Sequence, residues 1–302
     1  MWLSLMTGVF YGVRCLLNRL VIPFGVTSLV GCSLFLILMT LCALVLPSAS
    51  LSTGFEDTIL GHYTGIGALL LSVISGIPLM MLKVSLYNFT AWTTLRLGER
   101  SVFPVIFHAE PETIYGTVLS ILSETVIPAF GMSLFFFGLL WGRFKSTDRF
   151  RAAVVIISAF VLYSMDFTSV FATAATAVWC FYLRSRVRNV WAPFLCLVSA
   201  SVSELFLPES LSKIDIFSVQ TYADIGTTYF YSSIPAFFMG MVLLLFFIRV
   251  LDSFSISLRH EIHDDEYDEY IPAFDKSINL SLILTIAVFI TIWVLIIQGA
   301  HL

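Results

Sequence analysis

The sequence predicts an all-α polytopic membrane helical bundle with about eight transmembrane segments, including a broken or re-entrant helix pair. Three observations carry that expectation. Of 302 residues, 58% are hydrophobic and 12% charged, whereas a soluble domain carries about 25% charged residues. Apolar runs of about eighteen residues recur along the chain, each able to cross a hydrocarbon core ~30 Å thick. The mean hydropathy is +0.94. The lipid bilayer is therefore the expected partner, and no stripe of basic residues points to nucleic acid. The net charge of -4 says little, because the placement of Lys and Arg, not their sum, orients a membrane chain.

Taken in order, residues 1–19 form a short apolar segment ending in Arg14 and Arg19, the pattern of an interfacial helix ahead of the first span. It shows no charged n-region and no small-residue cleavage site, so no signal peptide is expected. Apolar runs then cover about 21–46, 64–82, 113–142, 152–166, 168–183, 190–207, 227–248 and 278–298, with the longest polar connections at 83–112 and 249–277. These divide the chain into 1–110 (interfacial helix and two spans), a core at 111–207, and 208–302 (C-terminal spans with an acidic connecting loop). Ile-Pro-Ala-Phe recurs at 127–130, 234–237 and 271–274. Its surroundings differ each time, so it reads as three helix starts with Pro in the first turn. The five cysteines (Cys15, Cys32, Cys42, Cys180, Cys196) form no CxxC pair and read as small buried hydrophobes.

The 16 Lys and Arg residues test how 113–142 crosses the membrane. As one helix that run would be ~45 Å long, too long for the core without steep tilt. If it crosses once, alternation leaves 6 basic residues inside and 10 outside; if it returns to the side it left, the count is 15 inside and 1 outside. The positive-inside rule favours the return. The sequence thus predicts two helical legs breaking near Pro128, with the N-terminus inside.

Three stretches carry a family frame: PAFGMSLFFFGLL (128–140), AFVLYS (159–164) and NVWAPFLCLVSAS (189–201). Over about 110–207 they resemble the CAAX-protease and bacteriocin-processing (CPBP) intramembrane proteases. In that family's first motif, Glu-Glu-x-x-x-Arg-Gly, this chain has Met132 and Ser133 at the glutamates, Phe137 at the arginine and Gly138 at the glycine. The second motif, Phe-x-x-x-His, finds Phe160 and Ser164. The third, His-x-x-x-Asn or Asp, finds Leu197 and Ser201 after the Trp191–Pro193 entry. The resemblance implies a glutamate that activates water and histidines that complete peptide-bond cleavage within the membrane. Methionine, serine and leucine neither take a proton from water near neutral pH nor stabilise an oxyanion as a charged donor would. What the resemblance implies is thus a degenerate, non-catalytic member in a bacterial cytoplasmic membrane. It would act as a scaffold or binding subunit for a peptide or a partner's membrane helix.

Other ionisable residues keep rival readings open. Glu124 lies inside an apolar run, Asp166 at a short hairpin turn, and Glu204 near an interface before Pro208. A charge at membrane depth marks a functional or a paired position, so an active peptidase with altered catalytic residues would use Glu124 with Asp166 or Glu204. A transporter subunit is a third reading, without the paired interrupted segments of inverted repeats. In RHEIHDDEYDEY (259–270), His260 and His263 stand at i, i+3 before a run of carboxylates, a weak divalent-cation candidate. A solvated acidic connection is the expected reading, and no cofactor is expected. The Asn-x-Thr at Asn88 and Asn-x-Ser at Asn279 are chance-level glycosylation matches.

Overall fold

The computed structural model describes residues 33, 36–38, 40, 60–61, 65–96, 121–144, 149–164, 169–206, 227–261, 287 and 291. Every named element among them is helical. Helix α1 is Ile66–Arg96. Helix α2 is four consecutive helical segments, Leu122–Val126, Ile127–Met132, Ser133–Leu140 and Trp141–Phe144, the first and third of them π-helical. Then come α3 (Arg149–Ser164), α4 (Val170–Val187), α5 (Trp191–Leu205) and α6 (Thr227–Glu261). Two stretches are long and apolar enough to cross a membrane, Ile66–Thr93 in α1 and Phe230–Ser253 in α6; Ile127–Leu140 and Ala152–Val161 are shorter apolar helices. Residues 113–120 and most of the apolar runs 21–46 and 278–298 lie outside the described residues.

Both long helices outrun the spans drawn from composition. α1 continues from its apolar run to Arg96, into the connection assigned to 83–112, and α6 continues to Glu261. In α1 the polar residues do not break the helix because their side chains are satisfied there. Ser85, Thr90 and Thr93 each donate to the carbonyl four residues back, at 2.7–2.8 Å. Asn88 donates to Ser233 Oγ on α6 at 3.0 Å.

The break expected near Pro128 is absent. The backbone stays right-handed helical ahead of the proline, with Val126 at φ -72°, ψ -49° and Ile127 at φ -63°, ψ -47°. A proline inside an α-helix strands an acceptor four residues back and crowds that carbonyl. Here the preceding turn is π-helical, and the Ile127 N–H bonds to Leu122 O, five residues back. The wider turn accommodates Pro128 without ending the helix.

Pairs of contacts fix the helix directions. Ser75 Oγ lies 3.5 Å from Cys196 Sγ, and Lys83 Nζ lies 3.1 Å from Glu204 Oε2, so α1 and α5 run parallel. Trp179 Nε1 donates to Ser75 Oγ at 3.1 Å, while Gly61, just ahead of α1, bridges to Asn189, just past α4; α1 and α4 are antiparallel. α6 also opposes α1. Asn88 meets Ser233, and a Cβ on Gly240 would lie 2.8 Å from Pro78 O, so only glycine admits this backbone approach.

These directions overturn the returning arrangement of 113–142. That arrangement requires the runs 64–82 and 168–183 to point the same way, and the structure opposes them. The N-terminus-inside orientation drawn from the 15-to-1 count loses its basis with it. Instead Arg184, Arg186, Arg188 and Arg249 gather at the end where α1 begins, and Arg96 lies at the other.

Two apolar clusters form the interior. One joins α2, α3, α4 and α5 through Phe135, Phe136, Phe137, Ile156, Phe160, Cys180 and Leu197. The other joins α1, α4, α5 and α6 through Leu79, Val84, Trp179, Leu183, Cys196, Leu244 and Leu251. α4 and α5 contribute to both, which makes them the wall between the two halves.

Candidate functional site

The residues in the protease frame divide between the first cluster and its surroundings. Phe137 and Leu197 are members, Met132 packs against it, and Phe160 completes the group. Phe137 is 0% exposed. Its ring lies 5.6 Å from that of Phe160, and Phe136 meets Phe160 and Tyr163 edge-on at 5.2 and 5.5 Å. Such edge-to-face pairs place positive ring edges on negative faces. Ser133 is buried, and its Oγ has no hydrogen-bond partner among the described residues. Ser164 turns away, donating at 2.7 Å to Val161 O of its own helix. Ser201 is half-buried and outside the cluster. At the frame positions themselves Met132, Phe137 and Leu197 carry no group that transfers a proton near neutral pH.

The other sequence candidates fall as follows. Glu124 has its backbone in the first π-helical segment of α2, and its side chain is outside the described residues. Asp166, His263 and Asn279 lie outside the described residues altogether; His260 is in the last turn of α6, its side chain likewise outside them. Among the described residues no group of three or more His, Cys, Asp or Glu could hold a metal ion. Glu204, placed by the sequence near an interface, pairs with Lys83. The pair is partly buried, 26% and 21% exposed, and ties α5 to α1. Asn88 is buried and bonded to Ser233, which leaves its amide inaccessible to a glycan.

The most constrained polar site is one that sequence reading missed, at the last turn of α4. Arg184 is 2% exposed, and its Nε donates to Phe137 O at 2.8 Å. That carbonyl is available because of the π-helical register. The Trp141 N–H reaches Phe136 O and Gly138 O, and so passes over the Phe137 carbonyl four residues back that an α-helix would use. π-helical turns free backbone groups in this way and recur at functional positions.

A short strap, Leu60–Gly61, packs against the same guanidinium. The Val190 N–H donates to Leu60 O at 3.0 Å, and Gly61 bridges to Asn189. Gly61 has φ +85°; a Cβ there would stand 1.8 Å from Arg188 O and 2.5 Å from Arg184 Nη1. Arg188 closes α4 in the left-handed conformation (φ 57°), with its N–H on Arg184 O, the backbone geometry of an αL cap. Asn189 Oδ1 then accepts from the Trp191 N–H at 2.9 Å and starts α5.

The sequence did hold a signal for Arg184. Cys180, Leu183, Arg184 and Val187 are all buried, which is one face of a helix at spacings of three and four. Counting every arginine in RSRVR as a loop charge concealed it. Asp252 was missed as well. Its Oδ1 takes Arg186 Nε at 3.1 Å and lies 2.9 Å from the Tyr182 hydroxyl, joining α4 to α6.

Compared with known protein families, characterised proteins and solved structures, the chain matches none.

Proposed function

We propose that this chain is a non-catalytic integral membrane scaffold, built on a CPBP-like frame, that holds a peptide or a partner's membrane helix. The observation that carries the reading is the apolar packing of Met132, Phe137 and Leu197 with Phe160. A hydrolytic centre needs water, a base and a donor for developing negative charge, and the methionine, phenylalanine and leucine at these frame positions supply none of them. The basic end of the bundle, with Arg184, Arg186, Arg188 and Arg249, fits the cytoplasmic side of a membrane by the positive-inside rule.

The holding surface in this reading is α6. Its outward residues Phe238, Val242, Leu245 and Phe246 are each more than half exposed, and an apolar helix face of this kind meets either lipid or another helix in the membrane. A photo-crosslinking amino acid at Val242 or Phe246, irradiated in native membranes, is expected to yield one or a few discrete protein adducts. Adducts with lipid alone at both positions would remove the scaffold reading.

A further inference from the structure

We propose that the end of the bundle where α1 begins binds the anionic headgroups of phospholipids. The inference rests on the membrane reading above. Arg188, at the corner between α4 and α5, and Arg249, on α6, are exposed. Neither has an ion-pair partner among the described residues. Arg186, also near the end of α4, is bound to Asp252 at 3.1 Å and its guanidinium sits 5.6 Å above the Tyr182 ring. Among the described residues Asp252 pairs with Arg186 alone of these three arginines, and the Arg188 and Arg249 side chains are exposed.

The geometry holds those charges in place. The backbone of Arg188 is fixed by its left-handed cap and by Gly61 packed against its carbonyl, so its side chain projects from a rigid corner. Arg249 lies within the long helix α6, one turn before Asp252. Beside the corner is Trp191, 43% exposed, its ring 5.5 Å from Phe194 and 6.0 Å from Phe130. Tryptophan settles at the headgroup level because its ring is apolar and its N–H polar. Ile66, exposed at the first turn of α1, extends the apolar collar at this end. Guanidinium groups above such a collar meet phosphate where acyl chains give way to headgroups. Their planar fork matches phosphate oxygens two at a time. Towards the other end, Lys83 is already matched by Glu204.

The test uses the full chain, purified in a neutral detergent and mixed with equal amounts of phosphatidylglycerol and phosphatidylcholine, with retained lipid read by native mass spectrometry. Two juxtamembrane arginines are expected to favour phosphatidylglycerol by about tenfold or more. The double variant Arg188→Gln, Arg249→Gln is expected to bind both lipids alike, while Arg96→Gln, at the far end of α1, keeps the wild-type preference. Equal retention by the wild type, or a preference that survives in the double variant, would overturn the proposal. Failure to retain either lipid or to partition into detergent at all would instead remove the membrane reading, and this proposal with it.

Discussion

Phe137→Ala is expected to lower the stability of the bundle by about 3 kcal/mol, the low end of what truncating a core phenylalanine costs. The low end applies because lipid tails solvate an apolar ring about as well as a protein interior does. What is lost is therefore packing rather than transfer from water. Phe137 is fully buried, 5.6 Å from Phe160, within the cluster that joins α2 to α3, α4 and α5. Removing its ring leaves a void on three helices that cannot all close in. Unfolding by a denaturing detergent, followed by circular dichroism, measures the loss. A change below about 0.5 kcal/mol, the range of surface substitutions, would mean that this position lines an open cleft.

The second large effect is expected at Arg184. Its Nε is the donor to Phe137 O, and the hydrogen bond is charge-assisted and buried. Bonds of that kind contribute about 1.5–3 kcal/mol, so Arg184→Met is expected to cost about 2 kcal/mol by the same assay. Arg184→Lys keeps the charge but not the planar guanidinium, whose Nε and Nη donors point in fixed directions. It is expected to recover less than half of the loss. The strap gives an independent readout. Gly61 packs on the guanidinium and Val190 donates to Leu60 O, so amide exchange at Val190 should accelerate in both variants. Unchanged stability in Arg184→Met would show that this guanidinium does not hold the α2–α4 contact together.

Much of the architecture is readable from the chain because hydrophobicity is a local property. The apolar runs at 64–82, 168–183, 190–207 and 227–248 each correspond to a helix, at Ile66–Arg96, Val170–Val187, Trp191–Leu205 and Thr227–Glu261. The ends of those helices were less legible. The polar residues after Leu82 look like a loop in one dimension, but Ser85 and Thr90 bond back to their own helix and Asn88 bonds across to Ser233. Helix direction was misread for a different reason. The charge count depends on how many times the chain crosses, and that depended on Pro128 breaking a helix, which a π-helical turn at Leu122–Val126 prevents. No residue pattern announces that register.

The candidate site was legible in part. Met132, Phe137 and Leu197 were singled out for a shared frame and do share a cluster with Phe160, whereas Ser164 and Ser201 stand apart from it. The Lys83–Glu204 and Arg186–Asp252 pairs join residues more than sixty positions apart, and sequence spacing holds no record of such partners. Arg184 differs, since its helical spacing from Cys180 and Val187 marked it as inward-facing.

The claim that this frame is packed and non-catalytic is tested most directly by one measurement. The wild-type chain and Glu124→Gln are reconstituted side by side into vesicles with fluorogenic membrane-anchored peptides, and cleavage is followed over hours. Glu124→Gln keeps the shape of the side chain while removing its acid–base function. The account predicts that both proteins leave the peptides intact, at the background rate of empty vesicles. Cleavage by the wild type that disappears in Glu124→Gln would contradict it and establish an intramembrane peptidase working through that carboxylate.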